Sequence, residues 1–137
     1  PCDTLPNTLH TIEVGKYGLN EPWTPKNSSD KYGGMLTLKA ALAQSVNTVT
    51  ARLIDRVGPK PVLDLVGKMG VDTKKILEVP SIALGTPDVS LYEMVGAYST
   101  FANQGVYIKP SLITRIEDKN GEVLVSASKA QKIKKTI

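Results

Sequence analysis

Histidine and cysteine are almost missing from this chain of 137 residues, each occurring once, as His10 and Cys2. One cysteine excludes an internal disulfide, and Cys2 reads as a stray residue at the terminus. A single histidine excludes a Cys/His metal set and leaves no histidine-based triad to assemble in the core. No metal and no cofactor is expected. Aromatic residues make up only 5%, so Leu, Val, Ile, Ala and Met have to fill the interior. No apolar run approaches the roughly 18 residues of a membrane span, and no signal peptide is present. The chain opens at Pro1-Cys2 without methionine, which suggests an excised or processed piece, so missing targeting signals say little about the parent.

Charge excludes a further class. Seventeen Lys and Arg against thirteen Asp and Glu give +4, but Lys129, Lys132, Lys134 and Lys135 crowd the end. The rest is near neutral, so no nucleic-acid partner is expected. Apolar content of 41% and this length suit one globular domain.

Residues 36–58 organise the chain. Leu38, Leu42, Val46, Val49, Leu53 and Val57 recur every three or four positions, as on a buried helical face. Thr37 suits the start of the helix and Gly58-Pro59 its end. The middle, Ser45-Val46-Asn47-Thr48-Val49-Thr50, carries β-branched and short polar residues that a helix disfavours. On an unbroken helix Ser45 and Asn47 would point about 200° apart. For both to meet one ligand the helix must break between them, with Asn47 capping the second half.

Before this stretch, prolines and glycines give a loop-rich lead-in with a short strand at Thr11–Val14, Trp23 as an anchor, and Tyr32-Gly33-Gly34 as a flexible link. After it, Val62, Leu63, Val66 and Met69 mark a helix closed by Gly70, and 71–80 holds an irregular turn. Residues 81–87 read as a buried extended segment or a loop. Ser90 and Glu93 form a capping box opening a helix whose inward stripe is Leu91, Met94, Val95, Tyr98, Phe101 and Ala102. Two strands, Leu112–Asp118 and Glu122–Ala127, follow around Asn120-Gly121, a type I′ turn signal. Helices are thus expected near 37–44, 47–57, 60–69 and 91–103. Leu42, Val49, Leu53, Val66, Val95 and Tyr98 are expected to be buried.

The ordered blocks Trp23-Thr24-Pro25-Lys26-Asn27, Gly34 through Thr48, Ala83-Leu84-Gly85, Leu91 through Gly105, Lys109-Pro110 and Ile116 to Gly121 together resemble the transpeptidase domain of class A, bifunctional penicillin-binding proteins, over about residues 20–126. The resemblance implies an α+β, helix-dominated architecture, a partial penicillin-recognising (β-lactamase-like) fold with a C-terminal hairpin. One domain fragment, 1–137, is expected, with a loop-rich lead-in (1–35), a helical core (36–105), strands (106–127) and a basic tail (128–137) read from composition and pattern.

In that family a Ser-x-x-Lys gives the nucleophile, Ser-x-Asn relay and substrate contacts, and Lys-Thr-Gly the far wall of the cleft. By position Ser45 would be the catalytic hydroxyl that relays a proton, and Asn47 the amide holding a peptide or β-lactam carbonyl. Two Ser-x-x-Lys strings, Ser28 to Lys31 and Ser126 to Lys129, lie in the wrong settings, and Lys135-Thr136-Ile137 has no strand leading into it. The chain is therefore expected to supply one motif of three and to be inactive alone. The implied parent is a membrane-anchored D-Ala-D-Ala transpeptidase outside the bacterial cytoplasmic membrane, joined to a glycosyltransferase. Its implied partners are peptidoglycan stem peptides, β-lactams and the rest of its own polypeptide. The rival reading is a non-catalytic wall-associated scaffold.

Overall fold

The computed structural model describes residues 2–126 and 134–135. The chain divides into two compact units, one of Pro1–Leu63 with Lys74–Asp88, the other of Asp64–Thr73 with Val89–Ile137. The fold is α+β and helix-dominated, as the sequence implies, with three small two-stranded sheets among the described residues.

The first unit begins with a strand that the loop-rich composition hides. β1 (Thr4–Pro6) pairs antiparallel with β2 (Met35–Thr37), Leu5 opposite Leu36. Thr37 then caps α1 (Leu38–Ala43), accepting from the Ala40 amide at 3.2 Å, and the Leu38 amide reaches back to Asp3 O at 2.9 Å. These ties fix how α1 is rotated, so Ala41 enters the core with Leu5, Val46 and Val49. Leu42, one residue and about 100° further round the helix, is 84% exposed instead of buried. Periodicity marks an apolar stripe, but a six-residue helix is oriented by its neighbours.

α2 (Asn47–Val57) and α3 (Pro59–Lys68) follow, separated by Gly58. Val49 is buried as expected, while Leu53 packs partly buried against the core and Val66 is half-buried. Residues Pro80–Leu84 form a 3-10 turn on α2, not an extended segment, and Gly85 ends it in the left-handed region at φ 77°. Of the expected strand at 11–14, only a single bridge survives, Ile12 to Trp23. His10 has a structural place. Arg52 can only donate, so its contact at 3.3 Å makes His10 Nδ1 the acceptor, and Nε2 donates to Asp55 at 3.0 Å. Together with Lys16 on Asp55, this fastens residues 8–17 to α2.

In the second unit, α4 (Leu91–Ala102) opens with the expected capping box, Ser90 Oγ accepting from the Glu93 amide and Glu93 from the Ser90 amide. Its inward face is the reverse of the expected one. Gly96, Ala97 and Thr100 are buried, while Val95 is 47% and Tyr98 68% exposed. The reason is close approach. β3 (Val106–Tyr107) lays the Tyr107 ring across the helix, and a Cβ on Gly96 would stand 3.1 Å from it. Small residues make that face, and the large apolar ones are left outside.

β4 (Arg115–Glu117) and β5 (Val123–Ser126) form the expected hairpin, but not through a type I′ turn. Within the loop, Gly121 has positive φ (86°) and Asn120 does not. The Gly121 amide closes on Asp118 O, and Asp118 Oδ1 accepts from the Asn120 and Glu122 amides at 2.8 Å. This is a three-residue loop ending in a left-handed glycine. β6 (Lys134–Lys135) pairs with β3, so a short strand exists where the sequence suggested none. The rest of the basic tail lies outside the described residues.

Candidate functional site

The helix does break between Ser45 and Asn47, and the hydrogen bonds show how. The Ser45 amide donates to Leu42 O at 3.1 Å and the Val46 amide to Ala41 O at 2.9 Å, a Schellman closure of α1. The residue between the cap and that last donor must be left-handed. Glycine usually fills it, but here it is Ser45, at φ 53°. A β-carbon in this conformation costs about 1–2 kcal/mol, and such strain concentrates at functional sites.

Asn47 does not cap α2. Val46 holds the cap position and has no capping side chain, and Asn47 is already helical. Its Nδ2 donates to Lys26 O at 2.8 Å. The cap comes from 20 residues upstream, with Asn27 Oδ1 accepting from the Thr48 amide at 3.1 Å. Local sequence carries no sign of that contact.

Asn27 belongs to a buried polar group with Asn7 and Thr48. Its amide nitrogen donates to Asn7 Oδ1 and Lys31 O, both at 2.8 Å. Thr48 Oγ1 donates to Asn7 Oδ1 at 2.7 Å. Buried amides are tolerable only when paired in this way. The result is a 26–31 loop bound to the start of α2, and Asn47 is bonded to that loop.

Ser45 lines an open cleft of about 330 Å³ together with Asn27, Ser28 and Lys31. Ser28 to Lys31 is a turn, closed by the Asp30 amide on Asn27 O at 3.0 Å, with Asp30 at φ 51°. Ser28 and Lys31 are therefore not paired one helical turn apart, as a nucleophile motif requires. Among the described residues, no cluster of His, Cys, Asp or Glu could hold a metal. Sequence reasoning missed Asn7, Asn27 and Thr48. The only hint was Asn27 next to the Trp23-Thr24-Pro25 block.

A left-handed serine thus stands on a helix break beside an open cleft, with an asparagine two residues on. Residues 4–137 match the model of the family described as the penicillin binding protein transpeptidase domain, and the chain belongs to that family. It is 45% identical over 104 residues to penicillin-binding protein 1A of Aquifex aeolicus, covering 76% of this chain and 14% of that protein. Penicillin-binding protein 1A of Haemophilus influenzae superposes with a TM-score of 0.81 at 29% identity, covering 92% of this chain and 18% of that one. PonA1 of Mycobacterium tuberculosis, solved in complex with penicillin V, gives 0.71 at 25% identity, covering 93% and 35%. The chain thus spans only a small part of the relatives it matches, and those named penicillin-binding protein 1A are in keeping with the class A resemblance.

Proposed function

We propose that this chain is the central part of a D-Ala-D-Ala transpeptidase that builds peptidoglycan through an acyl-serine intermediate, and that it contributes Ser45 and Asn47. The observation that carries this reading is the left-handed Ser45 at the end of α1, because it lifts a hydroxyl out of helical register at a cost in strain.

Ser45 both accepts and donates. It takes the proton from the attacking serine and passes it to the leaving amine of the terminal D-alanine or to the β-lactam nitrogen. Asn47 has two amide hydrogens; with one fixed on Lys26 O, the other is left for the carbonyl of the stem peptide or β-lactam. The nucleophile and the opposite wall of the cleft come from elsewhere in the parent polypeptide. That polypeptide also covers the apolar face of α4 and carries the membrane anchor and a glycosyltransferase. It works on the outer side of the bacterial cytoplasmic membrane.

Two measurements test the proposal. This chain alone, incubated with a labelled penicillin, is expected to show no covalent adduct by mass spectrometry. An adduct on Ser28 or Ser126 would show that the nucleophile lies within it. In the complete domain, Ser45→Ala is expected to slow acylation about 10²–10⁴-fold with the fold intact. An unchanged rate with a lowered melting temperature would reduce Ser45 to a structural hydroxyl.

A further inference from the structure

We infer that Asn27 is a positioning residue for ligand binding, acting on Asn47 through the single peptide group it shares with Lys26. The inference rests on the role proposed above for Asn47. The Lys26 carbonyl that holds Asn47 Nδ2 at 2.8 Å is bonded to the backbone nitrogen of Asn27. Its direction is therefore set by how Asn27 is held. Asn27 is 7% exposed, both its amide hydrogens are donated, to Asn7 Oδ1 and Lys31 O, and its Oδ1 accepts from the Thr48 amide.

No other side chain has this set at this length. Aspartate would keep the acceptor that caps α2 but would face Asn7 Oδ1 and Lys31 O with lone pairs. Leucine or alanine would leave the Thr48 amide unpaired in the interior and strip Asn7 Oδ1 of one of its two donors. Asn7 and Thr48 complete the arrangement, since Asn7 Oδ1 receives both Asn27 and Thr48. The Asn7 backbone is itself tied to Gly33 and Gly34 at 2.7 and 3.0 Å. The loop is thus anchored on two strands' worth of backbone and on a helix start, and the ligand-holding amide hangs from its first carbonyl.

Asn27→Asp separates the two duties of the residue, because it keeps the cap and breaks the loop ties. In the complete transpeptidase domain, acylation by a fluorescent penicillin is followed under single-turnover conditions, which resolves the affinity before acylation from the acylation step. Asn27→Asp is expected to weaken the affinity about 10- to 10²-fold with little change in the chemical step, the pattern expected of Asn47→Ala. Ser45→Ala is expected to show the opposite split. In an Asn47→Ala background, adding Asn27→Asp is expected to weaken binding no further.

A lower fraction of active protein with both constants normal would make Asn27 purely structural and overturn the inference. So would additive losses in the double variant. Should Asn27→Asp fail to fold, the near-isosteric Thr48→Val removes only the bond to Asn7, and a few-fold loss of affinity is expected. An unchanged affinity there overturns the inference as well. If Asn47→Ala binds like the wild type, the role proposed for Asn47 fails and this inference with it; if only the Asn27 and Thr48 variants do, the inference alone fails.

Discussion

Two helices of this protein end in the same backbone device with different residues. α1 closes with Ser45 in the left-handed position, and α3 closes with Gly70 there, at φ 93°. The bonds correspond: Gly70 N to Gly67 O and Val71 N to Val66 O repeat those of Ser45 and Val46. At Gly70 a Cβ would run into the Tyr107 ring, so glycine is required by space as well as by conformation. At Ser45, on an exposed turn beside a cleft, a side chain fits and is kept despite its strain. α4 supplies a third case, Gln104 at φ 54°, with Gly105 N bonded to Thr100 O. The same fold element therefore serves packing at one helix end and exposes a hydroxyl at another.

Replacing the strained serine should separate stability from activity. Ser45→Gly in the complete domain is expected to slow acylation about 10²–10⁴-fold, or roughly 3–5 kcal/mol of barrier. The same change is expected to raise stability by about 0.5–1 kcal/mol, since relief of the left-handed strain exceeds the extra freedom glycine gives the unfolded chain. Acylation kinetics and denaturant titrations on one preparation would show both. A loss of stability would contradict the strain argument.

Gly70→Ala tests the opposite end of the comparison. Left-handed strain of about 1–2 kcal/mol adds to overpacking against Tyr107 of about 1–3, so a loss near 3 kcal/mol is expected from urea unfolding. A change below about 0.5 kcal/mol would mean that Tyr107 does not cover this glycine. Gln104→Gly is the control. It is expected to gain about 0.5–1 kcal/mol, as Ser45→Gly does, but with acylation unchanged. Slower acylation there would remove the distinction between the two helix ends.

The smallest effect concerns pH. Burial pushes the Asp55 carboxyl up, but hydrogen bonds from Lys16 and His10, together with the Lys16 charge, outweigh it and hold it below the usual carboxylate value. A lowered carboxyl stabilises the fold above its unfolded value of about 3.9 and loses that contribution as pH falls through the folded value. Melting temperatures of the wild type are therefore expected to fall more steeply below about pH 4 than those of Asp55→Asn. Parallel curves would leave Asp55 without an acid-linked role.

Much of the scaffold was legible because its signals are local. Thr37, the Ser90–Glu93 box, Gly58 and Gly70 satisfy or end helices through residues within a few positions, so the helix spans came out nearly as expected. The need for a break between Ser45 and Asn47 was also legible, from angle alone. The turn at Asn120-Gly121 shows the limit of such signals. It marked a hairpin correctly, yet Asp118 accepted the amides of the loop and selected a different turn.

The sequence by itself determined the helices, their caps, the ordered blocks of the penicillin-binding transpeptidase family, and Ser45 and Asn47 as candidates, because each depends on neighbours in the chain. Tertiary structure decided which faces those helices bury. Leu42 and Tyr98 lie outside because Leu5, remote in sequence, settles against Ala41, and the Tyr107 ring settles against Gly96. It also decided what holds the site. The cap on α2 is Asn27 and the anchor of Asn47 is the Lys26 carbonyl, hydrogen bonds that span about twenty residues and leave no period in the sequence.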